Sequence, residues 1–336
     1  MKKTLLVILL LCINYTLTFA SIWRVNNVPG VEADFKTLQG AIDTAQAGDT
    51  LYVEGTQFDY TCDTIYKKLV IYGPGYFLDE NDTTSYYTHP AVVKGINAHI
   101  RIVDAAAHTK IYGLYFIPGS KFHILADHVT IANNYFVLPN LDRLNVGDNV
   151  QNTYLKCNYI AGTIDLNNSL NSMIKNNIIT SGIRMNNDGS AIIYNNVVQS
   201  FAVNNSEIKN NIQYREGNNS GNMGTNNVIE HNVLCGNWAS SLPNNVILTD
   251  NSSIFLEDNP GSSNGTEYST DGRYRLASGS PATGAGENGV DCGAYGAATP
   301  YKLSGLPPVP RIYEASIPAS ASEESGLPVK VKIKTK

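Results

Sequence analysis

Five short segments of this chain share one alternating pattern of apolar and polar residues. Successive side chains of a strand point to opposite faces, so the apolar positions are predicted to face a core and the polar ones to face outward. The segments are "FHIL" (residues 122–125), "LNVG" (144–147), "IDLN" (164–167), "IRMN" (183–186) and "FAVN" (201–204). The outward column reads His123, Asn145, Asp165, Arg184 and Ala202, with Arg143 at a strand edge.

This column has the side chains that a saccharide groove uses. Asn and Asp exchange hydrogen bonds with hydroxyl groups, and Arg holds a carboxylate through two hydrogen bonds. Strands of stacked coils lie ~4.8 Å apart, close to the length of a sugar ring. We therefore predict that a polysaccharide contacts His123, Arg143, Asn145, Asp165 and Arg184.

The same column contains two groups that polysaccharide lyase chemistry needs, a base and a cation that neutralises a carboxylate. His123 and Arg184 would lie three coils apart, ~14 Å at sheet spacing, which is too far for one proton transfer. Asp165 and Arg184 are predicted to be direct neighbours, and such a pair is an ordinary sheet stabiliser worth about 0.2–1 kcal/mol. A solvated column without a ligand therefore stays open as the alternative.

The elements that would position this column come from a second, longer repeat. An asparagine follows an aliphatic residue by three places, and the step from one repeat to the next is 24, 19, 19, 15 and 21 residues. Recurrence at about twenty residues is typical of a solenoid, in which each unit buries its apolar face against its neighbours. The repeated residues are Asn134, Asn158, Asn177, Asn196, Asn211 and Asn232.

Two solenoids have units of this size and a repeated asparagine. Leucine-rich repeats need a Leu-dense template, whereas Ile, Val and Tyr occupy those positions here. A parallel β-helix fits better, because Asn tolerates the left-handed backbone of a tight corner. Stacked Asn side chains would also satisfy one another as a ladder inside the helix. Solvated loop asparagines are the alternative.

Both ends of the chain carry further signals. "DFKTLQGAIDTAQAGDTLYVEG" (residues 34–55) predicts a capping helix at about 34–47, started by Asp34, followed by a first strand. Residues 1–20 read as a signal peptide, residues 21–300 as the solenoid, and residues 301–336 as a Pro-rich linker with a C-terminal hairpin. A secreted protein is expected, in the periplasm, at the cell surface or outside the cell, without a transmembrane segment.

Charge and cysteine content narrow the classes of partner. Loss of Lys2 and Lys3 with the signal peptide leaves 22 basic and 29 acidic residues, a net charge of −7. Nucleic acid is therefore an improbable partner, and a densely anionic polymer is mildly disfavoured. Cys62, Cys157, Cys235 and Cys292 have no metal-binding spacing, so we expect mostly buried thiols, with one disulfide left open.

The helix followed by "GDTLYV", the "I-x-N-N" coils and the closing "GSPATGAGENGVDCGAYG" (residues 279–296) resemble the pectate-lyase-like right-handed β-helix superfamily. This resemblance implies an all-β, right-handed parallel β-helix with a groove on the outside of one sheet. The "NTD…DD…GHG…RIK" set of polygalacturonases and the "RxPxxR" of classical pectate lyases are missing. No cofactor is identified; Asp148, Asp165 and Asp188 form no obvious calcium cage, although calcium stays open.

Together these observations predict a secreted, monomeric parallel β-helix that engages polysaccharide. Carbohydrate binding comes first, with lyase or glycoside hydrolase activity left open. A structural or adhesive surface protein without catalytic activity is the alternative. Neither the polymer nor the bond follows from the sequence.

Overall fold

The chain folds as a stack of short parallel strands. The computed structural model describes residues 20–81, 89–117, 121–138, 143–186, 188–215, 223–236, 242–257, 268–318, 320 and 326–334. These residues form a parallel β-solenoid of about eight turns, which confirms the predicted all-β solenoid class. Residues 1–19 of the predicted signal peptide lie outside the described residues.

Each complete coil adds one strand to each of three faces, named here sheets A, B and C. Sheet A lies before the asparagine corner, sheet B after it, and sheet C carries the predicted outward column. The ten strands of sheet A are β1 (Ile22–Val25), β2 (Thr50–Val53), β5 (Val70–Tyr72), β8 (Lys110–Tyr112), β11 (Thr130–Ala132), β14 (Tyr154–Lys156), β17 (Ser172–Lys175), β19 (Ala191–Tyr194), β21 (Glu207–Lys209) and β23 (Val228–Glu230).

Sheets B and C are hydrogen-bonded into one 15-stranded sheet, because β18 and β20 run from one face into the other. Sheet B contains β3 (Tyr60–Cys62), β6 (Val92–Gly95), β9 (Tyr115–Phe116), β12 (Tyr135–Val137), β15 (Tyr159–Ala161), β18 (Ile178–Arg184), β20 (Val197–Ala202), β22 (Ile212–Gln213), β24 (Val233–Cys235) and β25 (Val246–Leu248). Sheet C contains β4 (Thr64–Ile65), β7 (His99–Ile102), β10 (Lys121–Ile124), β13 (Arg143–Val146), β16 (Thr163–Asp165) and the ends of β18 and β20.

Six asparagines form one buried ladder at the corner between sheets A and B. In each step the backbone N–H and the side-chain Nδ2 of one Asn both donate to Oδ1 of the next, as between Asn158 and Asn177 at 2.9 and 3.0 Å. Nδ2 also donates to carbonyls of its own and the preceding coil, as Asn177 does to Lys175 and Leu155. The fully buried members are Asn134, Asn158, Asn177, Asn196, Asn211 and Asn232, and the ladder continues to Asn245.

The left-handed corner residue is the one before each ladder asparagine, so the expectation that the ladder Asn itself takes this conformation is wrong. Asn176 has a φ of 54° and Asn195 a φ of 55°. Cys157 and His231 occupy the same position in their coils with φ values of 54° and 57°. Where a coil has two adjacent asparagines, the first therefore adopts the left-handed conformation that turns the backbone. The second forms the hydrogen bonds to the neighbouring coils.

The first residue of each pair also holds a long C-terminal segment, residues 286–306, named here the strap. Asn176 Nδ2 donates to the carbonyls of Ala294 and Gly296, both at 3.0 Å. Asn210 Oδ1 accepts from the N–H of Glu287 at 2.8 Å. Because Asn210 contacts the start of the strap and the earlier Asn176 contacts its middle, the strap runs back along the solenoid towards its first coils.

A second hydrophobic core lies between sheet B and the C-terminal part of the chain. The outward side chains of sheet B are apolar and covered, in contrast to an ordinary solvent-facing sheet. The family resemblance implied that the 279–296 stretch ends the helix; here it packs against the outside of sheet B. This core includes Tyr159, Ile178, Val197, Ile212 and Val233 from the sheet and Phe255, Tyr274, Ala282, Cys292, Ala294 and Tyr301 from the C-terminal part.

The N-terminal helix, α1, spans Leu38–Thr44 and is shorter than the predicted 34–47 segment. Thr37 caps it, since its Oγ1 accepts from the N–H of Gly40 at 3.2 Å. The expected cap, Asp34, instead accepts from the N–H of Arg24 at 2.7 Å, so the chain around Asp34 pairs with β1 rather than starting a helix. The helix buries Leu38, Ala41 and Ile42 in the main core, and its role as a lid stays a prediction.

The predicted C-terminal hairpin is confirmed as an antiparallel pair of β26 (Arg311–Ser316) and β27 (Lys330–Lys334). Every residue of β27 is exposed. The hairpin is joined to the solenoid through the Pro-rich residues 307–310, which lie beside the first strands of sheet A.

Replacing Asn177 by Leu should lower the free energy of unfolding by about 1–3 kcal/mol, because it leaves the buried N–H of Asn158 and the carbonyl of Leu155 without a partner. Chemical denaturation measures the change. The control is Asn186→Leu, which makes the same replacement at an exposed position and should change the free energy of unfolding by less than about 0.5 kcal/mol. Equal effects of the two substitutions would contradict the ladder's role.

Candidate functional site

The register of sheet C places the predicted column in a single line. His123 pairs with Asn145, Asn145 with Asp165, and Asp165 with Arg184 on successive strands. The alternate residues of the same strands are buried, as Phe122 and Ile124 are in β10. Alternation and repeat spacing therefore put these polar side chains on the outer surface of one sheet, in the order read from the sequence.

Two cations of sheet C were missed in the sequence. Arg101 is the in-register partner of His123 on the preceding strand, and Lys121 lies in line with His99. The signal that could have found Arg101 is "HIRI" in β7, which has the same alternation as "FHIL". The predicted column did not include Arg101, because it began with the next coil, at His123. We call the outward residues His99, Arg101, Lys121, His123, Arg143, Asn145, Asp165 and Arg184 the strip.

The ion pair in the strip joins Arg143 to Asp165, with Nη1 and Oδ2 2.7 Å apart. Arg184 is the in-register neighbour of Asp165, but no ion pair between them is found in the described part of the chain. Arg143 stands beside Thr163, two residues before Asp165, and a long side chain reaches such a diagonal neighbour. The expectation that Asp165 and Arg184 form the stabilising pair is therefore corrected: Arg143 neutralises this carboxylate.

Arg184 is an exposed cation of the strip. Within the described residues no carboxylate or carbonyl accepts a hydrogen bond from its guanidinium. A guanidinium that is exposed and unpaired can form two parallel hydrogen bonds with an incoming carboxylate or sulfate. Arg184 is thus placed to contact a ligand without first breaking an internal bond.

His123 is half-buried and lies near His99, Arg101 and Lys121. Burial lowers the pKa of its imidazole below 6.5, and His99, Arg101 and Lys121 lower it further. Its ring centre lies 5.7 Å from that of His99. The imidazole of His123 is therefore neutral at pH 7, and a neutral imidazole can accept a proton.

The strip has a local excess of positive charge that the whole-chain charge conceals. Strands β7, β10, β13, β16 and β18 together contain four cations, Arg101, Lys121, Arg143 and Arg184, and the single acid Asp165. Since charged residues act over about a Debye length of ~8 Å, a ligand on the strip meets these cations and not the average charge of the chain. The strip suits carboxylates or sulfates, contrary to the expectation from net charge.

Neither the acids nor the thiols of the described residues supply a metal site. No group of three or more His, Cys, Asp or Glu side chains able to hold a metal ion is found there. Asp148 Oδ1 accepts from Asn168 Nδ2 at 2.9 Å, and Asp165 is held by Arg143. The four cysteines within the described residues are free and buried, so no disulfide links them. Burial raises the pKa of the Cys62, Cys157 and Cys292 thiols to about 12, which leaves them unreactive.

Comparison with protein-family models, with curated proteins and with solved structures finds no match. Among the described residues no helix has the length and apolar character needed to cross a membrane. The proposal for the function of this chain therefore rests first on the chemistry of its own surfaces.

Nuclear magnetic resonance titration should give His123 a pKa below 6.5, and Arg101→Gln should raise that pKa because it removes a neighbouring positive charge. Arg184→Gln is the control: it removes the same charge three strands away from His123 and should leave the pKa of His123 nearly unchanged. A wild-type pKa at or above 6.5 would contradict the electrostatics described for the strip.

Proposed function

We propose that this chain is an exported carbohydrate-binding protein whose strip binds an acidic polysaccharide. The observation that carries the proposal is the in-register line of His123, Asn145, Asp165 and Arg184, flanked by further cations, on the exposed side of sheet C. Amide and carboxylate groups suit sugar hydroxyls, and guanidinium groups suit the acidic substituents.

The spacing of the strip favours a linear polymer that lies along the solenoid axis. Adjacent strands of a sheet are ~4.8 Å apart, so each successive sugar ring would meet a new row of side chains. Arg101 and Arg184 stand at opposite ends of the central line, four strand steps apart, or ~19 Å at this spacing. A polymer with acidic groups several rings apart would reach both.

The resemblance to the pectate-lyase-like superfamily supports both the place of the proposed binding site on the solenoid and the class of its ligand. In that superfamily the working surface is the outside of one parallel sheet, and the polar strip of this chain occupies the outside of sheet C. The right-handed turn of the coils, which this resemblance implies, and the export of the chain, predicted from residues 1–20, belong to the proposal as well.

Cleavage by β-elimination is a second candidate, favoured by one specific contact. Arg101 is the in-register neighbour of His123, so the cation is one strand away and not three. In this step His123 would take the proton from the carbon next to a uronate carboxylate while Arg101 neutralises that carboxylate. A carbon–carbon double bond would form as the glycosidic oxygen leaves the neighbouring carbon and takes a proton from water. Hydrolysis fits less well, because it needs two carboxylates and the strip strands hold only Asp165, already paired with Arg143.

Arg184→Ala should weaken retention on an acidic polysaccharide by about tenfold, the loss of one charged hydrogen-bond pair. Affinity electrophoresis through gels containing carboxylated, sulfated or neutral polysaccharides measures this retention. The melting temperature should stay nearly constant, because the Arg184 side chain is exposed.

Lys330→Ala is the control, since it removes one exposed cation from β27 of the C-terminal hairpin and should leave retention unchanged. Equal retention of wild type and Arg184→Ala on every polysaccharide would overturn the strip as a binding site and favour the structural alternative. In parallel, unsaturated uronate released by wild type and not by His123→Ala would show the elimination reaction.

A further inference from the structure

A second groove lies on another face, along the outside of sheet A. Three tyrosines, Tyr52, Tyr72 and Tyr112, are in-register partners on β2, β5 and β8. Their rings stack with centres 5.4 and 5.0 Å apart and planes inclined by 22° and 15°. The stack therefore repeats once per coil, at nearly the spacing of the strands that carry it.

The stack faces open space on the side of the Pro-rich segment. A cavity of 270 Å³ is lined by Tyr52 and Tyr72 on one side and by Pro310 and Arg311 on the other. A cavity of 500 Å³ follows, lined by Tyr112, Tyr154, Lys156, Lys302 and Pro308. The two cavities lie on the same face of sheet A and together extend from β2 to β14, four strand steps or ~19 Å; they are named here the groove.

Tyrosine hydroxyls and lysine ammonium groups of this groove are available to a ligand, whereas Glu54 at its first end is bonded to Arg24 and Asn26. In the described part of the chain the hydroxyls of Tyr52, Tyr72 and Tyr112 accept and donate no hydrogen bond, and the ammonium groups of Lys156 and Lys302 form no ion pair. Burial raises the pKa of Tyr72 and Tyr112, so both remain neutral hydroxyls. Three hydroxyls in a row and two cations at one end are thus available to a ligand.

The geometry excludes two other kinds of ligand. An extended peptide cannot add to the sheet here, because β5 and β8 are paired with strands on both sides and the groove lies over a face, not an edge. A proline-rich peptide needs a row of open aromatic faces, and the inner faces of this stack, both faces of Tyr72 among them, are covered by neighbouring rings. What remains accessible is a line of hydroxyls that ends in ammonium groups, which suits a ligand rich in hydroxyls and carrying negative charge.

We propose that this groove is a second binding site for an acidic oligosaccharide, independent of the strip. This proposal rests on the proposed function, because it assumes the same class of ligand. The groove lies on a different face of the solenoid and consists of different residues. The chain would then hold polysaccharide at two places, so one molecule could join two polymer segments or bind one polymer more tightly than either site alone.

Substitutions disrupt each of the two proposed sites separately. Isothermal titration calorimetry with oligogalacturonate, heparin-derived oligosaccharides and neutral cello-oligosaccharides is carried out on wild type, Arg184→Ala, and a groove variant with Tyr72→Phe, Tyr112→Phe and Lys156→Ala. The Phe substitutions keep the ring stack and remove only hydroxyls. Tyr66→Phe, at an exposed tyrosine outside the groove, is the control.

Wild type should bind two acidic oligosaccharides per chain, and the groove variant should bind one, with the lost site weakened at least about tenfold. Arg184→Ala should retain the groove site. Loss of all binding in Arg184→Ala, with wild-type binding in the groove variant, would overturn the groove and leave the strip intact. Unchanged binding in Arg184→Ala with loss in the groove variant would keep the groove and overturn the strip. No difference of the groove variant from the Tyr66→Phe control would also overturn the groove.

Discussion

The buried side-chain amide of each ladder asparagine is the constraint on which the structure depends. A primary amide inside an apolar core is costly unless every group finds a partner, and here the partner is the next coil. Asn177 can receive the N–H groups of Asn158 only if the two coils are in register. Since side chains alternate with a period of two, this register also fixes which residues of every strand face outward. The arrangement of side chains on the outer surfaces therefore depends on the register that the buried asparagines set.

The three outer faces have different surroundings. Sheet B presents apolar side chains, and the C-terminal part of the chain covers them. Sheet C presents a line of cations and polar groups to solvent. Sheet A presents stacked tyrosines beside the Pro-rich segment. The strap covers sheet B and is held at the corner between sheets A and B, because left-handed residues of that corner bind it, as Asn176 does. Two faces are thereby left for ligands.

Sequence periodicity was sufficient for the features that depend on one strand or one repeat. The ladder and the order of His123, Asn145, Asp165 and Arg184 follow from a period of two and a repeat of about twenty residues. Contacts that depend on how far a side chain extends could not be predicted from this periodicity. The partner of Asp165 is Arg143 because a long guanidinium crosses diagonally, and an alignment of in-register neighbours cannot show this. The strap joins residues more than a hundred positions apart, such as Asn176 and Ala294, and no local pattern encodes such a contact. The net charge of the chain averages over surfaces that the fold separates, so it does not describe the local excess of cations on the strip.

The central functional claim is that acidic groups, and not sugar hydroxyls alone, bring a polysaccharide to this solenoid. The most direct measurement compares binding of the wild-type chain to one uronate polysaccharide and to the same polymer after its carboxylates have been reduced to alcohols. Polymer length and linkage are then constant, and only the charge changes. The account predicts strong binding to the acidic polymer, weakened by added salt, and little binding to the reduced one. Equal binding to both polymers, or preference for the reduced one, would contradict it.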